Sequence, residues 1–247
     1  PANAMPLVFK TDLGSLGAFN NATAVSIAIY AFTQWDNVLS ADLSTSNGGS
    51  LPRDVTLSTD ALIAGASQFS DGINPIVFDN NGTITDDRIG AGASNNIVGF
   101  ASSAWTGNSY TEGFAIINGV LTGNGGQSYQ DLYKGTMTHE IGHMLGLSHT
   151  QTTLHAFYST MYPIVESGLQ AVLRPDDTAA IAALYPTPAF ISLTGSISGH
   201  VRTPGGAALS GVDVIAIDSV TGATYTTVTD YFSGPGFRFD NKPSPTG

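Results

Sequence analysis

Apolar residues recur with a helical period in three segments of the chain. The first segment covers residues 21–39, where Asn20 or Asn21 can cap the start of a helix. The second and third cover about 129–146 and 174–186. In the first helix, the spacing predicts a single buried face formed by Val25, Ala28, Ile29, Phe32, Trp35 and Leu39.

Shorter apolar runs between these helices predict β-strands. The runs are bounded by residues that favour turns, chiefly Gly, Asn, Ser and Asp. The predicted strands lie at 7–9, 54–58, 75–79, 96–101 and 113–121. Helices that alternate with strands favour an α/β or α+β layered domain that ends near residue 188.

The pattern changes after Thr194, where the helical period is lost. A strand-like run over 212–217 lies between turn signals, which predicts a small all-β unit. The proline-containing stretch 186–190 is the predicted linker. The chain therefore divides into two predicted domains, residues 1–188 and residues 189–247.

Composition excludes several classes of partner. The 247 residues include 8 basic and 19 acidic side chains, for a net charge of −11. So acidic a chain is not expected to bind nucleic acid or anionic lipid surfaces. The chain has no cysteine, which excludes disulfides and thiolate metal sites. No apolar run approaches the length of about 18 residues that membrane insertion needs.

Three of the five histidines fall within the eleven residues "HEIGHMLGLSH". His139 and His143 are four residues apart, so on a helix both rings leave the same face and can share one metal ion. A helix continued beyond Leu145 would turn His149 away from them. Gly146 permits a left-handed turn that brings His149 back as a third ligand. The opposite side of the helix carries three apolar residues that can anchor it, namely Met137, Ile141 and Leu145.

Three imidazole nitrogens and one open position are the requirements of a catalytic zinc ion, Zn²⁺. Such an ion activates a water molecule and polarises a carbonyl oxygen. Glu140 is turned about 100° from His139 around the helix, so it can lie beside the metal without binding it. We therefore expect one catalytic zinc, held by His139, His143 and His149, with Glu140 as the general base.

The histidine segment resembles the extended zinc signature of the metzincin metallopeptidases. The sequence "STMYP" at 159–163 resembles their Met-turn, in which Met161 would form an apolar floor beneath the metal. The third predicted helix, at 174–186, resembles the C-terminal helix of the matrixin branch, the matrix metalloproteinase-like peptidases. Thr150 is close to the serine that is typical of this branch after the third histidine. The resemblance covers residues 5–187.

This resemblance implies an α+β fold, with a twisted mixed sheet, three helices and a substrate cleft that crosses the zinc. The segment "NIVGFASS" at 96–103 would be an edge strand that pairs with an extended substrate, and 162–170 would wall a side-chain pocket. The implied protein is a secreted zinc metalloendopeptidase of the EC 3.4.24 type. Its partners would be protein or peptide substrates, and we expect a monomer.

The C-terminal unit resembles a carboxypeptidase regulatory-like, prealbumin-type β-sandwich. The resemblance lies in "GSISGHV", "LSGVDVIAID", "TG" and "TDYFSGPGFRF". Such a sandwich normally needs more residues than follow position 195, so we expect its last strands to be missing. We also expect this unit to position the enzyme and to be separable from catalysis.

Two other functions are compatible with the same residues. The chain could be a metzincin-fold surface adhesion module that has lost its activity, or a zinc hydrolase that acts on glycoprotein or on another amide. Glu140 discriminates between the enzyme and the adhesion module, because an inactive protein has no chemical need for the base.

Several other polar residues have simpler predicted roles. The segment 78–87 suggests a calcium loop, but it lacks the opening aspartate and closing glutamate of an EF-hand, so a turn is preferred and Ca²⁺ is the alternative. His155 is predicted to be a surface or packing residue. His200 is predicted to be unrelated to the zinc, and Tyr162 is predicted to be structural.

Overall fold

A five-stranded sheet with helices packed against it forms the main body of the protein, and a two-stranded hairpin follows it. The computed structural model describes residues 6–59, 72–107, 109–150, 158–165, 167–209 and 211–229. In chain order the elements are β1 (Leu7–Thr11), α1 (Asn21–Asp36), β2 (Thr45–Ser50), β3 (Asn74–Asp79), α2 (Thr83–Ile89), β4 (Gly99–Thr106), β5 (Ser109–Asn118), α3 (Gln127–Met144), α4 (Pro175–Leu184), α5 (Pro188–Leu193), β6 (Asp213–Ile217) and β7 (Thr224–Val228).

The sheet is mixed, as the fold prediction required. Its strand order is β2-β1-β3-β5-β4. Strands β2, β1, β3 and β5 are parallel to one another, and β4 is antiparallel to its neighbour β5. Every residue of the central strand β3 is buried, which is typical of a parallel strand covered on both faces. Strand β4 therefore forms one edge of the sheet.

Helices α1 and α3 pack together against one face of the sheet. Alternate residues of β1, β3 and β5 point into this core, and the ring of Phe9 stacks on that of Phe32 at a centroid distance of 3.8 Å. The indole nitrogen of Trp35 donates to the carbonyl of Thr138 at 2.9 Å, which joins α1 to α3. The position of α3 beneath the sheet is therefore fixed by both hydrophobic burial and a buried hydrogen bond.

The buried face of α1 differs from the predicted one. Ile29 is 42% exposed, and Leu39 is 93% exposed because the helix ends at Asp36. The face that packs consists of Ala24, Ile27, Ala28, Ala31, Phe32 and Trp35. Three alanines on this face let the helix approach its neighbours closely. The predicted face differed because it was assigned from the spacing of the larger apolar residues. Of the two predicted caps, Asn20 is the one used, since its side chain accepts from the amide of Thr23.

Four of the five predicted strands are present, and the strand predicted at 54–58 is wrong. This segment instead supplies the amide of Val55 to the buried carboxylate of Asp12. The remaining strand of the sheet is β2, whose sequence "TSNGGS" has no apolar alternation and is largely exposed. Two short helices were also missed, α2, which begins in the predicted turn, and α5, which begins in the predicted linker.

The C-terminal unit contains one antiparallel hairpin, β6 paired with β7, among its described residues. The prealbumin-type sandwich thus stays a prediction, and most of the segment "TDYFSGPGFRF" lies outside the described residues. None of the helices in the described ranges is long and apolar enough to cross a membrane.

Candidate metal centre

Helix α3 presents His139 and His143 to the cleft from successive turns. Their rings meet edge to face at a centroid distance of 4.6 Å. The predicted anchor residues on the other side of the helix are all buried, with exposures of 1% or less for Met137, Ile141 and Leu145. Burial of this apolar side fixes the rotation of the helix, so that the two imidazoles are held toward the cleft.

The chain reverses direction at Gly146, as the sequence predicts. Gly146 has a φ of +103° and ends the helix with a pair of hydrogen bonds. Its amide donates to the carbonyl of His143, and the amide of Leu147 donates to that of Gly142, both at 2.9 Å. This is the Schellman arrangement, which needs a left-handed residue at this position. The turn returns His149 to the other two histidines.

The three histidines converge on one point. Their Nε2 atoms lie 3.0 to 3.1 Å from one another, so they form a nearly equilateral triangle. The Nδ1 atom of His139 lies 2.7 Å from the carbonyl of Thr160, and that of His143 lies 2.8 Å from the carbonyl of Leu147. A carbonyl can only accept, so in these two neutral rings the proton is on Nδ1 and the Nε2 lone pairs face each other.

Facing lone pairs at this distance repel unless a cation lies between them. A zinc ion with Zn–N bonds of about 2.0–2.1 Å suits three nitrogens in this arrangement, with a fourth direction left open. Among the described residues, the metal-ligand group that the structure brings together consists of His139, His143 and His149. The residues present therefore fit the metal that the sequence predicts.

The electrostatic environment keeps these imidazoles neutral, which is the form that binds metal. Burial, together with the neighbouring His143, lowers the pKa of His139 to about 3. Burial likewise lowers the pKa of His149 to about 4, with His143 contributing. The pKa of His143 is also lowered by burial, and its bond to the carbonyl of Leu147 opposes this shift.

Glu140 lies in the same cleft as the three histidines. It is 4% exposed, and its Oε2 atom is buried without a hydrogen-bond partner among the described residues. Burial raises the pKa of this carboxyl to about 8. A cation beside it would favour the ionised form, so the carboxylate and the triangle of Nε2 atoms suit the same metal.

Met161 lies against helix α3 at Gly142. It is 2% exposed, and a Cβ added to Gly142 would overlap its sulfur and lie 2.9 Å from the Trp35 ring. Tyr162, the next residue, stacks on Tyr158 at a centroid distance of 4.7 Å and does not line the cleft. The glycine of "HEIGH" thus has a packing function that the sequence alone did not reveal.

Asp177 supports the metal centre from helix α4. Its carboxylate accepts from the amides of Thr160, Met161 and Arg174 at 2.9, 3.1 and 2.8 Å. Because the carbonyl of Thr160 accepts from His139, Asp177 fixes the loop that orients this ligand. The sequence places Asp177 in the predicted helix at 174–186 but carries no sign of a role at the metal.

A cleft of about 570 Å³ crosses the site. The start of β4 forms one side of it, and Pro163, Ile164 and Val165 line it on another, where the resemblance implied a pocket wall. Apart from Glu140 and the three histidines, the described residues that line it are uncharged.

The other polar residues singled out in the sequence lie elsewhere or are already occupied. The carboxylate of Asp79 accepts from both the amide and the hydroxyl of Thr85, and that of Asp86 accepts from the amide of Ser94, so both support helix α2. Calcium is thus not confirmed at this segment. His200 is exposed, and His155 lies outside the described residues.

Comparison with known families gives one match. The sequence model of Peptidase_M10, matrixin, matches residues 15–186. The matched range includes Glu140, the three histidines and Met161, and it ends two residues after helix α4. No match was found among curated proteins.

Proposed function

The chain belongs to the matrixin family of zinc metallopeptidases, and from this premise we propose that it is a secreted endopeptidase with Glu140 as its general base. The main support is that the Nε2 atoms of the three histidines lie 3.0 to 3.1 Å from one another. In the same cleft, the buried Oε2 atom of Glu140 has no hydrogen-bond partner among the described residues. The proposed enzyme domain is residues 1–188, and the proposed accessory domain is residues 189–247. Secretion is proposed from the family alone.

The proposed reaction divides the work between the metal and Glu140. When bound, zinc supplies a Lewis acid that polarises the scissile carbonyl and favours ionisation of a water molecule. The carboxylate of Glu140 accepts a proton from the attacking water and transfers it to the leaving amine nitrogen. Because Glu140 is buried and unpartnered in the described residues, no protein hydrogen bond has to break before it takes the proton.

The proposed substrate is an extended protein or peptide segment. Among the described residues, strand β4 pairs with β5 on one side only, which leaves the main-chain groups along its other side to a peptide. A strand added at a sheet edge gains main-chain hydrogen bonds, while pockets for alternate side chains give specificity. The residues 163–165 would contact the side chain that follows the scissile bond.

The metal is tested by elemental analysis of the dialysed protein. We expect about one zinc per chain, and we expect His143→Ala to lose most of it because two nitrogens hold zinc much less tightly than three. His200→Ala is the matched control, since this histidine is exposed and lies outside the metal-ligand group. Full zinc occupancy in His143→Ala would exclude the three-histidine centre.

The chemistry is tested by Glu140→Ala and the isosteric Glu140→Gln. Both should keep zinc while hydrolysis of a protein substrate falls at least ~100-fold, the scale for loss of a general base. Wild-type rates in either variant would refute the assigned role. Wild-type protein that binds zinc but cleaves no peptide bond in a diverse peptide library would instead favour the adhesion module or a hydrolase of another amide.

A further inference from the structure

The C-terminal hairpin contacts the enzyme domain at the first turn of helix α4. On strand β7, the amide of Thr226 donates to Oδ1 of Asp176 at 2.7 Å, and its hydroxyl donates to Oδ2 at 2.9 Å. Both oxygens of this carboxylate are therefore engaged by one residue of the hairpin. Asp176 is the neighbour of Asp177, which holds the loop at Thr160 and Met161.

The same hydroxyl also reaches the segment that carries the third histidine. Oγ1 of Thr226 lies 2.5 Å from Oγ1 of Thr150, the residue that follows His149. A hydroxyl has one proton, and that of Thr226 is given to the Asp176 carboxylate, which can only accept when ionised. The hydroxyl of Thr150 therefore donates to that of Thr226, which in turn donates to the carboxylate of Asp176.

His149 depends on its backbone for its position more than the other two ligands do. His139 and His143 are each oriented by a bond from Nδ1 to a carbonyl. Within the described ranges, His149 has no such bond, and its polar contacts are those of its Nε2 atom with the Nε2 atoms of the other two histidines. Thr150 is 7% exposed and is held by its own amide, which donates to the carbonyl of Met161 at 2.9 Å.

We propose that Thr226 is a positioning residue for the metal centre, through which the C-terminal hairpin holds Thr150 and thereby the ligand His149. This inference rests on the proposed three-histidine zinc site. It assigns the hairpin a function inside the enzyme, in contrast to the separable unit that the sequence analysis expected. Outer residues that orient a ligand generally affect metal affinity, so the hairpin contributes to zinc binding.

The test uses the full chain and compares three substitutions on one strand. Thr226→Val keeps the shape and the amide bond to Asp176 but removes the hydroxyl, whereas Thr226→Ser keeps the hydroxyl. Thr227→Val is the matched control, because Thr227 is the next residue on β7 and is exposed. The readouts are the zinc dissociation constant, measured by competition with a chromophoric chelator, and the visible absorption spectrum of the cobalt-substituted protein.

We expect Thr226→Val to raise the zinc dissociation constant by about threefold to tenfold, the range that one net hydrogen bond supplies. Its cobalt spectrum should also shift, because the spectrum reports the geometry of the ligands. Thr226→Ser and Thr227→Val should match wild type. Thr150→Val removes the same bond, so the double variant Thr150→Val/Thr226→Val should lose less than the sum of the two single effects.

An unchanged zinc dissociation constant together with an unchanged cobalt spectrum in Thr226→Val would overturn the inference. The same holds if the melting temperature falls while both metal readouts stay the same, because the contact would then stabilise the packing of the hairpin without affecting the metal. Failure of the proposed function is a separate result, visible in wild-type protein as zinc that survives His143→Ala or as an absence of peptide cleavage. Metal affinity can still be compared in a protein that binds zinc and cleaves nothing.

Discussion

Glu140 fits beside the cleft because strand β4 begins with a residue that has no side chain. A Cβ added at Gly99 would lie 2.9 Å from Cγ of Glu140 and 3.1 Å from its Oε1. Contacts this short require the glutamate side chain to move. The sequence distance between the two residues explains why the motif at 139–149 could not reveal the contact.

Gly99→Ala should therefore reduce catalysis without removing the metal. A displaced general base is expected to lower kcat by about 10–100-fold, the scale for a misplacement of about 1 Å, while zinc content stays at the wild-type value. The measurement is steady-state cleavage of a peptide together with elemental analysis. If the alanine acts through Glu140, it should add little in a Glu140→Ala background, and a full additional loss there would contradict this explanation.

The ligands could be predicted from the sequence because their geometry is local. The helical spacing sets His139 and His143 on one face, and one glycine reverses the chain before His149. The residues that support them could not be predicted in the same way. Asp177, Thr160 and Gly99 reach the site only after distant segments have packed, and their residue types alone carry no signal of that role.

Helix α3 contains two buried glycines that the structure uses differently. At Gly142 an added Cβ would overlap the sulfur of Met161 and press on the Trp35 ring. At Gly135 the nearest atoms to an added Cβ lie at 3.4 to 3.6 Å, which is ordinary contact. The same substitution in one helix should therefore give opposite results.

Gly142→Ala should destabilise the metal-free protein by about 1–3 kcal/mol, the usual cost of overpacking a core. Gly135→Ala should be neutral or should stabilise by up to about 1 kcal/mol, because alanine favours a helix over glycine. Urea unfolding of both variants, with unchanged m-values, measures the difference. Equal stabilities would mean that Met161 and Trp35 adjust freely, so that the close fit at Gly142 is not required.

At the level of elements, prediction succeeded where burial dominates. Strands β1, β3 and β5 carry apolar residues that the core needs, and each was predicted. Strand β2 was missed because an exposed, glycine-containing edge strand is held by main-chain pairing to β1, which leaves no apolar pattern. Helix α5 was missed because none of its six residues is fully buried, and Phe190 alone of them packs against the core.

At the level of the whole molecule, the two predicted domains are joined more closely than the linker suggested. Helix α5 crosses the predicted boundary, and Thr187 caps its start by accepting from the amide of Phe190. The hydroxyl of Thr187 also donates to the carbonyl of Ser40, which ties the start of α5 to the enzyme domain. The hairpin then meets α4 through Thr226. The division at residue 188 stays a prediction, because turn composition can mark a boundary in the sequence but not the contacts made across it.

The net charge of −11 gives the whole molecule a negative field. The described lining of the cleft contributes little to it, since among the described residues Glu140 is the one acidic side chain that lines the cleft and no lysine or arginine does. Direct contacts in the described cleft are thus expected to discriminate only weakly between charged substrates. Long-range attraction of positively charged substrates to the negative protein should remain, and it should weaken as the salt concentration rises.

Two peptides with the same cleavable core, one flanked by lysines and the other by glutamates, should separate these effects. At an ionic strength of about 0.01 M, the lysine peptide should show a kcat/KM about threefold to tenfold higher, because attraction raises its rate of encounter. The ratio should approach one near 1 M salt, where the Debye length is only about 3 Å. The kcat values should stay similar throughout, since the field acts before the bond is cleaved. A ratio that does not change with salt would place the discrimination in direct contacts near the cleft instead of in the charge of the whole protein.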